Sequence, residues 1–289
     1  MTLRGIPAAR GERPAGPLRG GRAPLGVFDS GLGGLTVVRA LREALPHEDI
    51  VYLGDTARVP YGTKGPGTVT RYALTCANHL VGRGVKAIVI ACNTVSAVAP
   101  ETLRVELDLP VLGVIEPGAR AAADATRLFK VGVLATAGTI ASGAYPRALS
   151  ACSTRIETYG QAAPLLVPLA EEGWLEGEVP RLAARRYLEP LARAGVDVIV
   201  LGCTHYPLLY PVIEQEARAL LGSDVTIIDS AKAVAREVAS FLEGRALLRD
   251  AALGEGSVKL LVTDLPKSFD TMAARFLGGE VDGAEQVDL

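Results

Sequence analysis

Short, almost continuous runs of Val, Ile and Leu alternate along the chain with longer stretches in which apolar residues recur at helical spacing. Such runs are typical of strands buried on both faces of a parallel sheet, whereas the longer stretches predict amphipathic helices. The predicted strands are Leu25–Asp29, Ile50–Gly54, Ala87–Cys92, Val111–Ile115, Val131–Ala135, Ile156–Tyr159, Val196–Cys203, Val225–Asp229 and Val258–Asp264. The predicted helices include Thr36–Leu45, Pro66–Arg83, Gly118–Leu128, Pro180–Ala194 and Lys267–Leu277. This alternation predicts an α/β fold in which helices cover parallel sheets.

Two segments of the chain repeat each other. Leu80–Cys92 matches Leu191–Cys203, with the same Leu, Gly-Val, Ile-Val and final Cys at equivalent positions. A weaker match pairs Gly26–Ser30 with Gly132–Thr136. Two homologous α/β halves would explain both matches. We therefore expect two pseudo-symmetric, flavodoxin-like domains, each with about four parallel strands, and an active site in the cleft between them.

The domain boundaries are predicted from the same pattern. Residues 1–23 are rich in Gly, Pro and Arg and lack periodicity, so we expect a flexible N-terminal tail, and we expect a second tail at 279–289. The first domain is predicted to span 24–117 and to be completed by about 229–278, with the second domain at 118–228. The chain would thus leave the first domain once and return to it.

Polar and thiol side chains follow several of the predicted strands. In parallel α/β sheets, ligands bind beyond the carboxyl ends of the strands, where the strand order reverses. The residues at these ends are Asp29, Ser30, Asp55, Cys92, Asn93, Thr94, Thr136, Cys203, Thr204 and His205. Small hydroxyl, amide, carboxyl and thiol groups suit a site for a polar small molecule.

Cys92 and Cys203 occupy equivalent positions in the two halves, each between a strand and a predicted helix start. A thiol at a helix N-terminus is expected to have a lowered pKa. Two opposed acid/base groups suit the removal of a proton from one face of a carbon and the return of a proton to the other face. That reaction inverts a stereocentre. The other two cysteines, Cys76 and Cys152, lack this context and are interpreted as structural.

Two loops and a histidine extend the candidate site. The turn Phe28–Leu35 combines an acid with three glycines where a strand meets a helix, which favours an anion-binding backbone over an ordinary tight turn. The loop Gly54–Gly62 fits either a functional loop or a simple turn. His205 lies two residues after Cys203, where it could tune the thiol or hold a carboxylate. The acidic pair that begins at Glu171, taken alone, is typical of a solvated surface.

Composition narrows the classes of function. The 289 residues are 49% hydrophobic and 21% charged with a net charge of −2, which indicates a globular protein without a basic field for nucleic acid. The longest apolar runs are too short for a membrane helix, and we identify no export signal. The four cysteines form no CxxC pair and the histidines number only three, so we expect free thiols, a cytoplasmic location and no metal. No lysine compels a pyridoxal cofactor, Asp229–Lys232 being the nearest candidate.

Five segments, taken together and in this order, resemble the glutamate racemases of the aspartate/glutamate racemase superfamily. They are Gly26–Leu35, Tyr52–Gly62, Ala91–Thr94, Val167–Gly173 and Leu201–Leu208, and the last unit, Val262–Gly278, is also similar. The resemblance covers about residues 24–278. It implies a cofactor-independent isomerase that interconverts L- and D-glutamate, supplies D-glutamate for peptidoglycan and forms a homodimer.

The resemblance also implies roles for particular residues. Cys92 would take the α-proton of D-glutamate and Cys203 that of L-glutamate, assisted by Asp29 and His205 respectively. The residues that match substrate contacts are Asp29, Ser30, Tyr61, Gly62, Asn93, Thr94, Thr136, Thr204 and His205, with Thr139 as a further candidate. The residues that match supporting acids are Asp55 and Glu171.

Other functions remain open at this point. An aspartate or hydantoin racemase of the same superfamily would share the paired cysteines. A non-catalytic binding or regulatory module, with a partner of the DNA gyrase type, belongs to a different class, and so does a thiol–disulfide redox protein. The presence of both Cys92 and Cys203 favours catalysis, and the lack of a CxxC pair disfavours the redox role.

Overall fold

The computed structural model describes residues 20–265, 269–281 and 283–289. Most of the predicted N-terminal tail, residues 1–19, therefore lies outside the described residues. The last part of that segment forms a turn in which Ala23 N–H donates a 3.0 Å hydrogen bond to the Gly20 carbonyl. The Gly21 carbonyl accepts a further 3.0 Å hydrogen bond from Lys86 Nζ, so this part of the predicted tail is held against the first sheet.

The structure contains strands and helices in the predicted alternation. The strands in the described residues are β1 Leu25–Asp29, β2 Ile50–Gly54, β3 Ala87–Ile90, β4 Val111–Gly113, β5 Lys130–Ala135, β6 Glu157–Ala162, β7 Val198–Gly202, β8 Thr226–Asp229, β9 Val258–Val262 and β10 Glu285–Gln286. The α-helices are α1 Leu35–Ala44, α2 Pro66–Gly82, α3 Asn93–Ser96, α4 Pro100–Glu106, α5 Ile115–Ala125, α6 Ala137–Ser142, α7 Ala144–Cys152, α8 Leu166–Glu172, α9 Glu178–Ala194, α10 Tyr210–Leu221, α11 Ser230–Glu243 and α12 Phe269–Leu277.

The strands form two parallel sheets of the same central order. The first sheet has the order β10-β9-β2-β1-β3-β4 and the second the order β6-β5-β7-β8. The sequence β2-β1-β3-β4 of the first sheet is thus repeated as β6-β5-β7-β8, which confirms the two pseudo-symmetric α/β halves. The strand order reverses between β1 and β3 in the first sheet and between β5 and β7 in the second. These two switch points are where ligand sites are expected in such sheets.

Burial follows the hydrophobic pattern. Every residue of β1, β3 and β7 is buried, as expected for central strands that are covered by helices on both faces. The edge strands β6 and β8 are partly exposed and carry polar residues among their apolar ones. The helices that cover the sheets, such as α1 and α11, each bury one apolar face.

The C-terminal segment differs from the predicted tail at 279–289. Glu285 and Gln286 pair in parallel with Leu261 and Val262 of β9, and Val287 is buried. A strand of two residues with no apolar alternation carries no sequence signal, since the neighbouring strand supplies its hydrogen bonds. The domain boundaries themselves stay a prediction. Among the described residues, no helix combines the length and apolar character needed to cross a bilayer.

Candidate active site

A cavity of about 490 Å³ lies where the switch points of the two sheets face each other. Its walls include residues that follow β1, β3, β5 and β7 within two positions. Of the candidate residues, those that line it are Ser30, Tyr61, Gly62, Cys92, Asn93, Thr94, Thr136, Glu171, Cys203, Thr204 and His205. The remaining candidates, Asp29, Asp55 and Thr139, are buried behind this lining and support it.

Cys92 lies two residues beyond the end of β3, directly before α3, and its Sγ donates to Ser30 Oγ at 3.5 Å. Burial raises the pKa of Cys92 to about 12, and the nearby charges of Asp29 and Cys203 act in the same direction. The prediction of a lowered pKa is therefore wrong for Cys92. The following helix, α3, is only four residues long, so its dipole does not compensate for the loss of hydration.

Asp29 connects the Gly-rich turn to the Cys92 side of the cavity. Its Oδ2 accepts hydrogen bonds from Gly34 N–H at 2.8 Å and from Gly31 N–H at 3.3 Å, which fixes the turn before α1. Its Oδ1 is buried and has no hydrogen-bond partner within the described residues. The side chain is only 1% exposed, so an unpaired carboxylate oxygen here is a costly feature.

Cys203 follows β7 on the opposite side of the cavity and is paired with a histidine. The His205 Nδ1 lies 3.9 Å from Cys203 Sγ, and the His205 Nε2 lies 3.1 Å from Glu171 Oε1. Burial lowers the pKa of His205, but the hydrogen bonds with Cys203 and Glu171 outweigh it and raise the pKa to about 10. Glu171 is therefore not a simple surface acid, although its side chain is 48% exposed.

Three threonine hydroxyls form a cluster in the wall between the two halves. Thr94 Oγ1 lies 3.0 Å from Thr136 Oγ1 and 3.4 Å from Thr139 Oγ1, and the last two are 3.0 Å apart. Thr136 also accepts from the Thr139 N–H and caps the N-terminus of α6. Hydroxyl and helix N-terminal donors together suit a carboxylate.

Asp55 organises the loop that carries Tyr61. The fully buried Asp55 carboxylate accepts a short hydrogen bond from the Tyr61 hydroxyl, a 2.9 Å bond from Thr263 Oγ1, and paired bonds from Arg58 Nε. Burial raises the pKa of Tyr61, with contributions from Cys76 and Asp55. Cys76, interpreted as structural, is buried beside this cluster, and burial raises its pKa to about 12.

Two glycines allow the halves to approach each other closely. A Cβ on Gly33 would lie 2.3 Å from Thr204 Oγ1 and 2.5 Å from the His205 ring. A Cβ on Gly62 would lie 3.0 Å from the Thr136 side chain. The glycines of these motifs are therefore required by packing across the cleft, in addition to any contact with an anion.

Several residues that line or support the site were not among the predicted site residues. Met272 and Phe276 of α12 line the cavity, and the Phe276 ring packs edge-on against His205 with ring centroids 5.0 Å apart. Tyr145 of α7 donates a 2.7 Å hydrogen bond to Asn93 Oδ1. The spacing of apolar residues predicts that α12 buries a face, but not which residue that face meets. The other lining residues without an assigned role are Gly31, Leu32, Thr56, Val59, Pro60, Thr63, Ala137, Pro164, Val167 and Pro168.

Comparisons with known proteins agree with the resemblance seen in the motifs. The family model described as Asp/Glu/Hydantoin racemase matches residues 34–238. A glutamate racemase of Geobacter metallireducens is 52% identical over 265 residues, which are 92% of this chain and 96% of the relative. The glutamate racemase from Thermus thermophilus in complex with β-chloro-D-alanine is 45% identical with a TM-score of 0.83, covering 93% of this chain and 98% of that one. The glutamate racemase from Francisella tularensis in complex with D-glutamate is 37% identical with a TM-score of 0.84, covering 92% and 98%. The chain therefore belongs to the Asp/Glu/Hydantoin racemase family.

Proposed function

We propose that this chain catalyses the interconversion of L- and D-glutamate and supplies D-glutamate for peptidoglycan synthesis. The observation that carries the proposal is the pair Cys92 and Cys203, one thiol at the switch point of each sheet, on the wall of one cavity. The names of the relatives and the ligands of the solved structures support glutamate as the substrate.

The two thiols divide the proton transfers between the two faces of the α-carbon. With L-glutamate, the Cys203 thiolate takes the α-proton and the Cys92 thiol donates its proton to the opposite face, which yields D-glutamate. With D-glutamate, the Cys92 thiolate takes the proton and the Cys203 thiol donates. Each turnover leaves one thiolate and one thiol with exchanged roles, so protons and charge balance without any cofactor.

The surroundings of the thiols support these roles. Protonated His205, between Cys203 and Glu171, stabilises a thiolate at Cys203 by charge and by hydrogen bonding. At Cys92, the Asp29 charge opposes thiolate formation. The cationic ammonium group of an amino acid bound in the cavity in front of Asp29 would offset that charge, and Asp29 Oδ1 has no competing hydrogen-bond partner among the described residues. Substrate binding would thereby favour the Cys92 thiolate only when an amino acid occupies the cavity.

The polar lining suits a substrate with two carboxylates. The cluster of Thr94, Thr136 and Thr139 offers hydroxyl donors beside the N-terminus of α6. Asn93 and Thr204 lie next to the thiols and offer further donors, and Ser30, Tyr61 and Gly62 also belong to the lining. Fixed donors of this kind stabilise the negative charge that develops when the α-proton leaves, which is the main energetic demand of the reaction.

The first experiment follows L-glutamate and purified protein in deuterated water. We expect loss of optical activity together with deuterium at the α-carbon. Cys92→Ala and Cys203→Ala should abolish racemisation, whereas Cys152→Ala, at an exposed cysteine outside the cavity, should leave it unchanged. A Cys92→Ala protein that racemises at the wild-type rate would sink the two-thiol scheme.

The same assay separates the alternatives. Exchange with aspartate or a hydantoin but not with glutamate keeps the mechanism and changes the substrate. If none of these substrates exchanges its α-proton with solvent, the result favours a non-catalytic binding or regulatory role. A small-molecule substrate fits the cavity of about 490 Å³. The homodimer and the cytoplasmic location stay predictions, and sedimentation equilibrium of the purified chain tests the first.

A further inference from the structure

Arg275 joins the C-terminal helix α12 to the end of α8. Its Nη1 donates to the Glu171 carbonyl at 2.5 Å and to the Ala170 carbonyl at 3.4 Å. Helix α12 packs against α1 of the first half, whereas α8 packs against α9 of the second. One guanidinium thus bridges the two halves at the rim of the cavity.

The chemistry of a helix end explains why an arginine is placed there. The last carbonyls of a helix have no partner within that helix, and a positive charge near them is favourable. Gly173 ends α8 in the left-handed region with a φ of 78°. A Cβ at this glycine would lie 2.6 Å from Arg275 Nη2, so the glycine is also what allows the guanidinium to approach. The glycine thus serves both the backbone turn that ends α8 and the approach of Arg275.

The carbonyl that Arg275 binds most closely belongs to Glu171, whose side chain contacts His205. Glu171 Oε1 lies 3.1 Å from His205 Nε2, and His205 Nδ1 in turn lies 3.9 Å from Cys203 Sγ. The Glu171 side chain is half exposed, so few contacts of its own prevent it from turning into solvent. The position of its backbone, which Arg275 holds, decides whether it reaches His205.

We propose that Arg275 is a positioning residue for proton transfer at Cys203, because it holds the end of α8 where Glu171 keeps His205 against the thiol. The inference rests on the proposed function, in which Cys203 exchanges the α-proton with L-glutamate. Cys92 instead donates to Ser30 Oγ and lies near Asp29, and both of these residues belong to the first half, as Cys92 does. Loss of Arg275 should therefore slow one of the two proton transfers more than the other.

Primary isotope effects detect such an imbalance. Because the equilibrium constant of a racemisation is one, kcat/KM must fall equally in both directions, and rates alone cannot tell the two thiols apart. When transfer at Cys203 becomes slower, it limits the reaction more strongly. The deuterium effect on kcat/KM then rises for α-deuterated L-glutamate and falls towards one for α-deuterated D-glutamate.

The test compares Arg275→Ala, Arg275→Lys and Gly173→Ala with the wild type. Loss of correct positioning should lower kcat/KM roughly 10- to 100-fold in Arg275→Ala. Both hydrogen bonds come from Nη1, and lysine keeps the charge but carries it on a shorter, more flexible side chain, so Arg275→Lys should show a smaller change in the same direction. Gly173→Ala strains the backbone at a φ of 78° and crowds the guanidinium, so it disturbs the same end of α8 and should shift the two isotope effects in the same way. Arg218→Ala, which removes an exposed arginine from α10, is the matched control and should match the wild type.

The outcomes distinguish a failure of this inference from a failure of the proposed function. A wild-type protein that does not racemise glutamate would defeat the proposed function. A wild-type protein that does, with an Arg275→Ala variant whose two isotope effects remain those of the wild type, would overturn only the role of Arg275. A loss of folded protein lowers rates in proportion and leaves both isotope effects unchanged, so it cannot imitate the expected result.

Discussion

The Tyr145 hydroxyl donates a hydrogen bond of 2.7 Å to Asn93 Oδ1, and this contact determines which way the Asn93 amide faces. With its oxygen bound, the amide directs Nδ2 elsewhere, and that nitrogen is buried without a hydrogen-bond partner in the described part of the chain. Asn93 lines the cavity beside Cys92. A buried, unpaired donor in a cavity wall is suited to an anionic substrate, since the substrate supplies the missing acceptor.

Tyr145→Phe should weaken substrate binding by freeing the Asn93 amide. The expected cost is about 1–2 kcal/mol, which is roughly a 5- to 30-fold loss in kcat/KM for glutamate. Steady-state kinetics in both directions would measure it. Tyr159→Phe, which removes a surface hydrogen bond to Glu157, is the matched control and should have no effect. Equal kinetics for Tyr145→Phe and the control would contradict the role of Tyr145.

Gly33→Ala should force the two halves apart. The added Cβ would lie 2.3 Å from Thr204 Oγ1 and 2.5 Å from the His205 ring, and neither group can move without disturbing the site. We expect a loss of about 1–3 kcal/mol in the free energy of unfolding, together with a large loss of activity. Thermal unfolding and kinetics check both. In Gly67→Ala, by comparison, the new Cβ would meet no atom of the described chain within 4 Å, and that variant should stay active.

Cys92 should react slowly with iodoacetamide in the substrate-free protein. Its pKa is raised by burial from an ordinary value near 9 to about 12, which lowers the thiolate fraction at pH 8 by roughly 10³-fold. The rate should increase with pH throughout the range from 8 to 11. Peptide mapping by mass spectrometry gives the rate for each cysteine, with the exposed Cys152 as internal reference. Alkylation of both residues at equal rates at pH 8 would refute the raised pKa.

Stability should fall with rising pH because of His205. Its pKa in the folded chain, about 10, exceeds the unfolded value near 6.5, so the folded state binds more protons between these two values. The stabilisation is complete below pH 6.5 and is lost as the pH rises through 10. The free energy of unfolding should fall by up to about 1.4 kcal/mol per pH unit in that window.

Urea unfolding between pH 6.5 and 9 measures this slope. Cys92 and Cys76 contribute in the same direction, but only above pH 9, and the lowered pKa of His79 contributes in the opposite direction near pH 6.5 and below, so the upper part of the window reports on His205. The His205→Gln variant should show a flatter profile than the wild type over the same range. If the two profiles run parallel, the histidine does not hold a raised pKa.

Much of the fold could be predicted from local pattern, because a strand buried on both faces must be apolar throughout. Each of the nine predicted strands overlaps an observed one, and the repeat of Leu80–Cys92 as Leu191–Cys203 corresponds to the shared order of the two sheets. The strand β10 was missed, since its two residues owe their conformation to pairing with β9. The local sequence pattern does not indicate which neighbouring strand a segment will pair with.

The candidate site was also predictable only in part. Cys92, Cys203 and the polar residues after each strand could be identified because parallel strands bring their carboxyl ends to one edge of a sheet. The raised pKa of Cys92 could not be predicted from the sequence, because desolvation depends on every group packed around the thiol. The contacts of Arg275 with α8 and of Tyr145 with Asn93 could not be predicted either, because they join residues about 50 to 100 positions apart in the chain. The residue types at the strand ends thus determine which chemistry is available to this protein. The protonation and orientation of those residues depend on side chains that only folding brings together.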